Sequence, residues 1–160
     1  MNTDDKITLV ATGAFTRYLK GRRLRKTPER FIVLDKVMSM ADHFVIESLH
    51  DAIEADGLHL SLGTVYNTIE LLIDAGLVRR HTFGNATAQY EKVTSISGNH
   101  LHLVCSQCGR VKEARDPEIT RILNSRRYSA FRSDYFDLNI YGICSRCQRK
   151  NRQSKSSSKK

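Results

Sequence analysis

Two pairs of cysteines are the most chemically specific feature of this 160-residue sequence. Cys105 and Cys108 form the first pair, Cys144 and Cys147 form the second, and each pair encloses two residues. Each such turn offers two thiolates, and four thiolates make the tetrahedral ligand set of a structural zinc ion. The alternatives are a redox-active pair and free thiols. Because 35 residues separate the pairs, tertiary structure has to bring them together.

Two histidines precede the first cysteine pair. His100 and His102 are two positions apart in a segment with strand-like character, so their side chains share a face. Two imidazoles at this spacing can bind one metal ion, whereas Leu101 and Leu103 on the other face are predicted to enter a core. The alternative is a pair of surface histidines on a half-exposed strand.

Basic charge is concentrated in two segments. Lysine and arginine number 26 against 17 acids, a net charge of +9. Residues 17–30 hold seven basic residues and one acid, and residues 146–160 hold seven basic residues and no acid. Such clusters attract nucleic-acid phosphates, although solubilising surface is the alternative. We expect the Ser/Lys-rich end to be disordered.

No apolar run is long enough to cross a membrane, and the first residues lack the apolar core of a signal peptide. We therefore expect a cytoplasmic protein with no membrane partner.

The first half of the chain predicts helices followed by a hairpin. Thr27 and Pro28 form a helix start, Ser61 can cap a later helix, and Gly76 can end it. The predicted elements are helices over 8–20, 27–41, 46–57 and 61–75 and a β-hairpin over 77–83 and 87–92. This order is typical of a winged helix-turn-helix.

The second half predicts a different, α+β arrangement. Strands over 101–104 and 110–114 precede a short helix that begins at Asp116-Pro117, and a half-buried strand with Leu138 and Ile140 on one face leads to Cys144. We therefore predict a DNA-binding domain over 1–92, a small α/β domain stapled by the four cysteines over 93–150, and a basic tail over 151–160.

Several motifs together resemble the ferric uptake regulator (Fur) family. The resemblance covers about residues 22–148. It is carried by His-x-His-Leu-x-Cys-x-x-Cys-Gly at 100–109, Tyr-Gly-x-Cys-x-x-Cys at 141–147, Thr-Val-Tyr at 64–66, and the Arg25, Thr27 and Arg30 spacing. It implies a homodimeric, metal-dependent transcriptional regulator, a repressor, that binds a double-stranded DNA operator and has no enzymatic activity and no small-molecule substrate.

The resemblance also implies two metal sites. The structural zinc maps to Cys105, Cys108, Cys144 and Cys147. The regulatory metal, Fe(II) or alternatively Mn(II) or Zn(II), maps to His43, Glu91, His100, His102 and Glu113. A third family site is not expected, because Asn99, Leu101, Thr120 and Phe136 stand at its positions.

For DNA, the resemblance implies contacts from Arg25, Lys26, Arg30, Thr64, Tyr66 and Asn67. Tyr66 can pack against a thymine methyl group, and Asn67, where the family usually has arginine, can read adenine. The peroxide-sensing branch also carries asparagine there, whereas Glu91 and Glu113 favour the iron-sensing branch.

His50, His59 and His81 are interpreted as ordinary surface or core histidines, with a phosphate contact as an option for His81. The alternative functions are a peroxide-sensing or haem-responsive member of the same family, a thiol oxidoreductase that uses a CxxC pair, and a zinc-ribbon module that binds RNA or protein.

Overall fold

The computed structural model describes residues 3–40, 43–83, 87–93, 101–133 and 136–157. The chain divides into two compact units, Met1–Ile96 and Ser97–Lys160. Each is considered by itself below.

The first unit is a winged helix-turn-helix, as predicted. Its elements are α1 (Thr3–Gly21), α2 (Pro28–Ser39), α3 (Ile46–Ala55), α4 (Leu62–Asp74), β1 (Val78–His81) and β2 (Gln89–Lys92). The predicted hairpin turn at 84–85 lies outside the described residues.

The start and end of α4 are set by local chemistry. The Ser61 hydroxyl accepts a hydrogen bond from the Thr64 amide at 3.1 Å, which satisfies one of the free N–H groups of the first turn. Gly76 follows the helix with a φ of +70°, a conformation that glycine adopts without steric cost. These two residues fix the length of the helix that exposes Tyr66 and Asn67.

Apolar side chains at helical spacing form the core of the first unit. Val65, Ile69 and Leu72 of α4 are fully buried and join residues from the other three helices and the hairpin. Leu34 of α2 and Ile53 of α3 are equally inaccessible to solvent. Because this apolar stripe fixes the rotation of α4 about its axis, the polar side of α4 is left facing solvent.

The second unit contains β3 (Leu101–Cys105), β4 (Val111–Ala114), α5 (Pro117–Ser125), β5 (Leu138–Gly142) and α6 (Ser145–Ser157). Its sheet has the order β4-β3-β5, with β4 antiparallel and β5 parallel to β3. The α+β class and the predicted order strand–strand–helix–strand are confirmed.

Two predictions for the second unit are wrong. Leu103 was expected in a core, but it is 38% exposed, and its partner Ile140 on β5 is 45% exposed. Alternation places both on one sheet face, and none of the described residues covers that end of the face. Disorder was expected from residue 151, but α6 extends to Ser157. Its first turns are held by the buried Cys147 and by a hydrogen bond from the Gln148 amide to the Cys144 carbonyl at 2.9 Å.

Among the residues that are described, no helix combines the length and the apolar character needed to cross a membrane.

Candidate metal centres and nucleic-acid interface

The four cysteines meet because two neighbouring strands end side by side. Cys105 is the last residue of β3 and pairs in register with Gly142, the last residue of β5. Cys108 follows in the turn after β3, and Cys144 and Cys147 lie where β5 passes into α6. All four sulfur atoms lie within 4.8 Å of one another.

The sulfur spacing fits a zinc ion and not a disulfide. The Sγ atoms of Cys108 and Cys144 are 3.8 Å apart, and all four cysteines are free thiols. Thiolates bound in a tetrahedron at about 2.3 Å from zinc are about 3.8 Å apart, whereas a disulfide needs about 2.05 Å. The turn between the first two ligands is closed by Gly109, whose amide donates to the Cys105 carbonyl at 2.9 Å.

Backbone amides prepare two of these thiols as thiolates. The Cys144 amide donates to Sγ of Cys105 at 3.3 Å and, with the Cys108 amide, lowers the pKa of Cys105 to about 6. The Cys147 amide likewise lowers the pKa of Cys144. Burial raises the pKa of Cys147 to about 12. A bound cation would therefore complete the deprotonation of the set.

A second candidate metal centre lies at the base of the hairpin in the first unit. The carboxylate of Glu91 contacts two imidazoles: Oε2 is 3.3 Å from Nε2 of His43, and Oε1 is 3.1 Å from Nε2 of His81. The ligand atoms of these three residues lie within 4.8 Å of one another. We refer to His43, His81 and Glu91 as the wing cluster.

Backbone pairing positions the wing cluster. Phe44 forms a bridge to Tyr90 with two hydrogen bonds of 2.9 and 2.8 Å, so that His43 lies beside Glu91. His81 on β1 is a diagonal neighbour of Glu91 on β2, because Arg79 is the direct partner of Glu91.

The side chains of the wing cluster are almost inaccessible to solvent. His81 and Glu91 are each 5% exposed, and the ring of Phe83 stacks on His81 with centroids 5.6 Å apart. Arg79 adds a cation, with Nη1 3.8 Å from Oε1 of Glu91. Buried imidazole and carboxylate groups in this arrangement can bind a divalent transition metal.

Sequence reasoning did not single out His81 as a ligand. It lies in a basic stretch, Val78–His81, that suggested phosphate contact, but its side chain is buried beside Glu91. The predicted hairpin carried a usable signal. His81 is two residues from Arg79, so their side chains share a strand face, and Glu91 lies on the paired strand. His50 and His59 make ordinary hydrogen bonds, to the Leu60 carbonyl at 2.8 Å and to Glu54 at 2.9 Å.

In the second unit, the predicted ligands His102 and Glu113 are direct cross-strand partners on β3 and β4. Nδ1 of His102 is 3.2 Å from Oδ1 of Asn139, which sits at the same level on β5. This contact orients the imidazole and leaves Nε2 as its other ligand atom. The predicted ligand His100 lies outside the described residues.

The candidate DNA-reading residues lie on α4 and at the start of α2. Tyr66 is 40% exposed, and its hydroxyl donates to Oε1 of Glu47 at 2.9 Å, which raises the pKa of Tyr66. Asn67 is exposed next to it, and Thr64 is half-buried, with its hydroxyl paired with that of Ser61 at 2.8 Å.

The basic candidates form a separate group. Arg25 and Lys26 are exposed in the loop before α2, and the Arg30 guanidinium donates to the Arg25 carbonyl, which orders that loop. Arg80 of the hairpin is paired with Glu70 of α4, so one of the two exposed acids of α4, Glu70 but not Asp74, is neutralised.

Comparison with known proteins gives a consistent match. The family model described as the ferric uptake regulator family matches residues 21–141. The peroxide operon regulator of Bacillus subtilis (strain 168) is 29% identical over 133 residues, which are 82% of this chain and 90% of that protein. The peroxide-responsive repressor PerR of Staphylococcus aureus (strain Mu50) is 28% identical over 133 residues, 82% of this chain and 88% of that protein.

Solved structures show the same fold. The ferric uptake regulator from Pseudomonas aeruginosa with manganese superimposes with a TM-score of 0.69 at 30% identity, covering 81% of this chain and 97% of that one. The Helicobacter pylori ferric uptake regulator superimposes with a TM-score of 0.72 at 21% identity, covering 88% of this chain and 93% of that one. At this lower identity the second comparison supports the fold alone.

Proposed function

The chain belongs to the ferric uptake regulator family of metal-responsive transcription regulators, and on this premise we propose that it is a cytoplasmic homodimeric repressor whose operator binding requires a divalent metal. The observation that carries the proposal is the wing cluster: His43, His81 and Glu91 converge in the unit that also exposes the polar side of α4. We propose that it has no catalytic role.

The four cysteines are proposed to hold a structural zinc ion. The S···S distance and the lowered pKa of Cys105 support this assignment. The ion would supply cross-links between the ends of β3 and β5 and the start of α6, in a unit whose own core is small. Because both CxxC pairs are used in this way, a thiol oxidoreductase function is not proposed.

His43 and Glu91 are proposed as ligands of the regulatory metal, with His81 as an addition to the set implied by the family. The family resemblance adds His100, His102 and Glu113 from the second unit. Nitrogen and oxygen donors suit Fe(II), Mn(II) and Zn(II), and affinity alone does not select iron among them. An ion that takes ligands from both units would shift the population toward the DNA-competent state.

Tyr66 and Asn67 are proposed to read base edges in the major groove from the N-terminal half of α4. The Tyr66 ring can contact a thymine methyl group, and the Asn67 amide can form two hydrogen bonds with adenine. Thr64, on the same half of α4, is proposed as a further contact. Arg25, Lys26 and Arg30 are proposed to contact phosphates, which orient the protein without reading sequence.

The second unit is proposed to form the homodimer. Leu103 and Ile140, which share one sheet face, and Ile143 just after β5 are large apolar side chains that are each at least 38% exposed. Within the described part of the sheet β5 is an edge strand, so a second copy can pair with it as well as cover its apolar face. Two DNA-binding units related by symmetry match an operator with two half-sites.

The proposal is tested by measuring metal content and operator affinity together. The full chain, purified without added metal, is analysed for zinc and then titrated with Fe(II) under anaerobic conditions, with Mn(II) and with Zn(II), while its binding to a family-type operator duplex is followed. We expect one tightly bound zinc per chain and a second ion that raises operator affinity by about 5- to 150-fold.

Variants identify the ligands. His43→Ala, His81→Ala and the double variant His100→Ala/His102→Ala are each expected to lose most of the metal-dependent gain and to keep the tightly bound zinc. His59→Ala is the matched control, because its imidazole pairs with Glu54 on the surface. If the double variant keeps full metal-dependent binding, the assignment of His100 and His102 as ligands is contradicted. If the parent chain binds the operator equally well without the second metal, the protein is a zinc-stapled DNA-binding protein that lacks this metal switch.

Peroxide sensing is the second candidate signal. It is favoured by Asn67, which the peroxide-sensing branch shares, and by the similarity to two peroxide-responsive regulators. Glu91 and Glu113 favour iron sensing. Release of the operator by the Fe(II)-loaded protein, but not by the Mn(II)-loaded protein, at low hydrogen peroxide would assign the chain to the peroxide-sensing branch.

A further inference from the structure

α6 carries a stripe of three arginines that the proposed function does not use. Arg146, Arg149 and Arg152 recur at every third residue and are all exposed. Residues three apart are neighbours on a helix surface, so the stripe extends over about 9 Å of helix. Cys147 is buried, and four residues later Asn151 exchanges two hydrogen bonds of 3.1 Å with Gln107. The side of α6 that bears Cys147 and Asn151 is thus packed against the rest of its unit, and the three arginines lie on the opposite, exposed side.

The charge of this stripe is not balanced within its own unit. Asp137 is the last acid in the sequence. Across the described ranges, no carboxylate is ion-paired with any of the three arginines. Like charges three or four residues apart repel on a helix, and a cation at the first turn, as at Arg146, opposes the helix dipole. Cys147 is the one buried side chain of α6 among those described, so packing offsets little of this repulsion. An anionic partner along the stripe would remove the repulsion.

We propose that the arginine stripe of α6 binds the phosphate backbone of duplex DNA, in addition to the contacts made by the first unit. This inference rests on the proposed function for its choice of polyanion. When the chain is bound to its operator through α4, α6 is tethered to the same DNA and meets a high effective concentration of phosphate. Free RNA or a membrane surface has no such tether. Guanidinium groups bind phosphate oxygens through paired hydrogen bonds, and such contacts carry no sequence information. The stripe therefore adds affinity and salt dependence, and it leaves operator choice to α4.

The test compares two triple variants of the full chain. Arg146→Gln/Arg149→Gln/Arg152→Gln removes the stripe, and Arg115→Gln/Arg121→Gln/Arg126→Gln removes the same charge from exposed arginines elsewhere in the second unit. Affinity for a duplex of scrambled sequence and for an operator duplex is measured from low to physiological salt. Each lost phosphate contact reduces the slope of log affinity against log salt by about 0.9, so the stripe variant should lose about 2.7. Its affinity for scrambled duplex at about 50 mM salt should fall at least about tenfold.

The control variant should keep the parent slope, and both variants should keep one zinc per chain. If the stripe variant loses zinc, Arg149→Gln/Arg152→Gln, which leaves the first turn of α6 intact, should still reduce the slope by about 1.8. An unchanged slope, an equal loss in the control, or a loss seen with anionic vesicles or single-stranded RNA but not with duplex would overturn the proposal.

The two proposals fail in different ways. If the parent chain shows a metal-dependent preference for the operator and the stripe variant has the parent slope, only the proposal for the stripe is contradicted. If the stripe variant has a smaller slope but the parent chain shows no preference for the operator, only the proposed function is contradicted.

Discussion

Glu91 is the residue on which the wing cluster converges. Its two carboxylate oxygens contact different imidazoles, at 3.3 and 3.1 Å, and its side chain is almost inaccessible to solvent. A buried carboxylate is costly unless cations or hydrogen-bond donors compensate it. The two imidazoles lie within hydrogen-bond distance of this carboxylate, and a divalent metal ion held by the same three side chains would compensate its charge.

At the same scale, Cys105 allows a test of the cysteine centre without metal. Amide hydrogen bonds lower its pKa from an ordinary 9.0 to about 6 in the folded chain. A depressed pKa stabilises the fold fully above the unfolded pKa, and this stabilisation is lost as the pH falls through the folded pKa. We therefore expect zinc-stripped folded protein to show a thiolate absorbance step with a midpoint near 6, and expect that step to move to about 9 in denaturant.

Cys105→Ser should remove one thiolate from the step near pH 6 and leave the contribution of Cys144, whose pKa the Cys147 amide also lowers. Cys147→Ser should leave the step in place, because burial already raises the pKa of Cys147 to about 12. A first thiolate step near pH 9 in the folded, zinc-stripped chain would contradict the role given to the Cys144 and Cys108 amides.

At the scale of elements, α4 depends on its N-cap. Ser61→Ala removes the acceptor of the Thr64 amide and should lower the free energy of unfolding of the first unit by about 1 kcal/mol. Urea denaturation would measure the loss, and faster hydrogen exchange at the Thr64 amide would locate it. Ser39→Ala is the control, because that hydroxyl only adds a bond to the Lys36 carbonyl at the end of α2. Equal losses in both variants would show that the cap contributes nothing specific.

Elements were predictable where their signals are local. Thr27 and Pro28 begin α2, Ser61 begins α4, and Gly76 with its positive φ follows α4. At Thr27 the predicted cap position is occupied, but its side chain makes no capping hydrogen bond. The Glu29 backbone amide and, after it, the Thr27 side chain lower the pKa of Glu29. The residue type predicted that Thr27 is the N-cap of α2, but it did not predict which groups its side chain contacts.

At the scale of the whole molecule, the oligomeric state tests whether the exposed apolar face of the second unit is the dimer interface. Ile140→Glu places a charge on that face and should convert a dimer into a monomer in sedimentation equilibrium, with zinc content unchanged. Leu58→Glu is the matched control, since Leu58 is 41% exposed in the first unit, close to the 45% of Ile140. A parent chain that sediments as a monomer, or an Ile140→Glu variant that remains dimeric, would contradict the proposed interface.

What the sequence determined by itself is the chemistry that local spacing encodes. Two CxxC turns specify four thiols in two fixed pairs, alternation places His102 and Leu103 on opposite strand faces, and caps mark the helices. The family resemblance added the expected roles of these residues.

Only the tertiary structure decided which distant residues meet and which faces stay open. Parallel pairing of β3 with β5 joins the cysteine pairs, and the hairpin register joins His81 to Glu91. Leu103 lies on an open face although it follows the pattern of a core residue. The physical reason is that periodicity specifies the direction of a side chain relative to its own backbone, whereas burial and ligand sets depend on what packs against it.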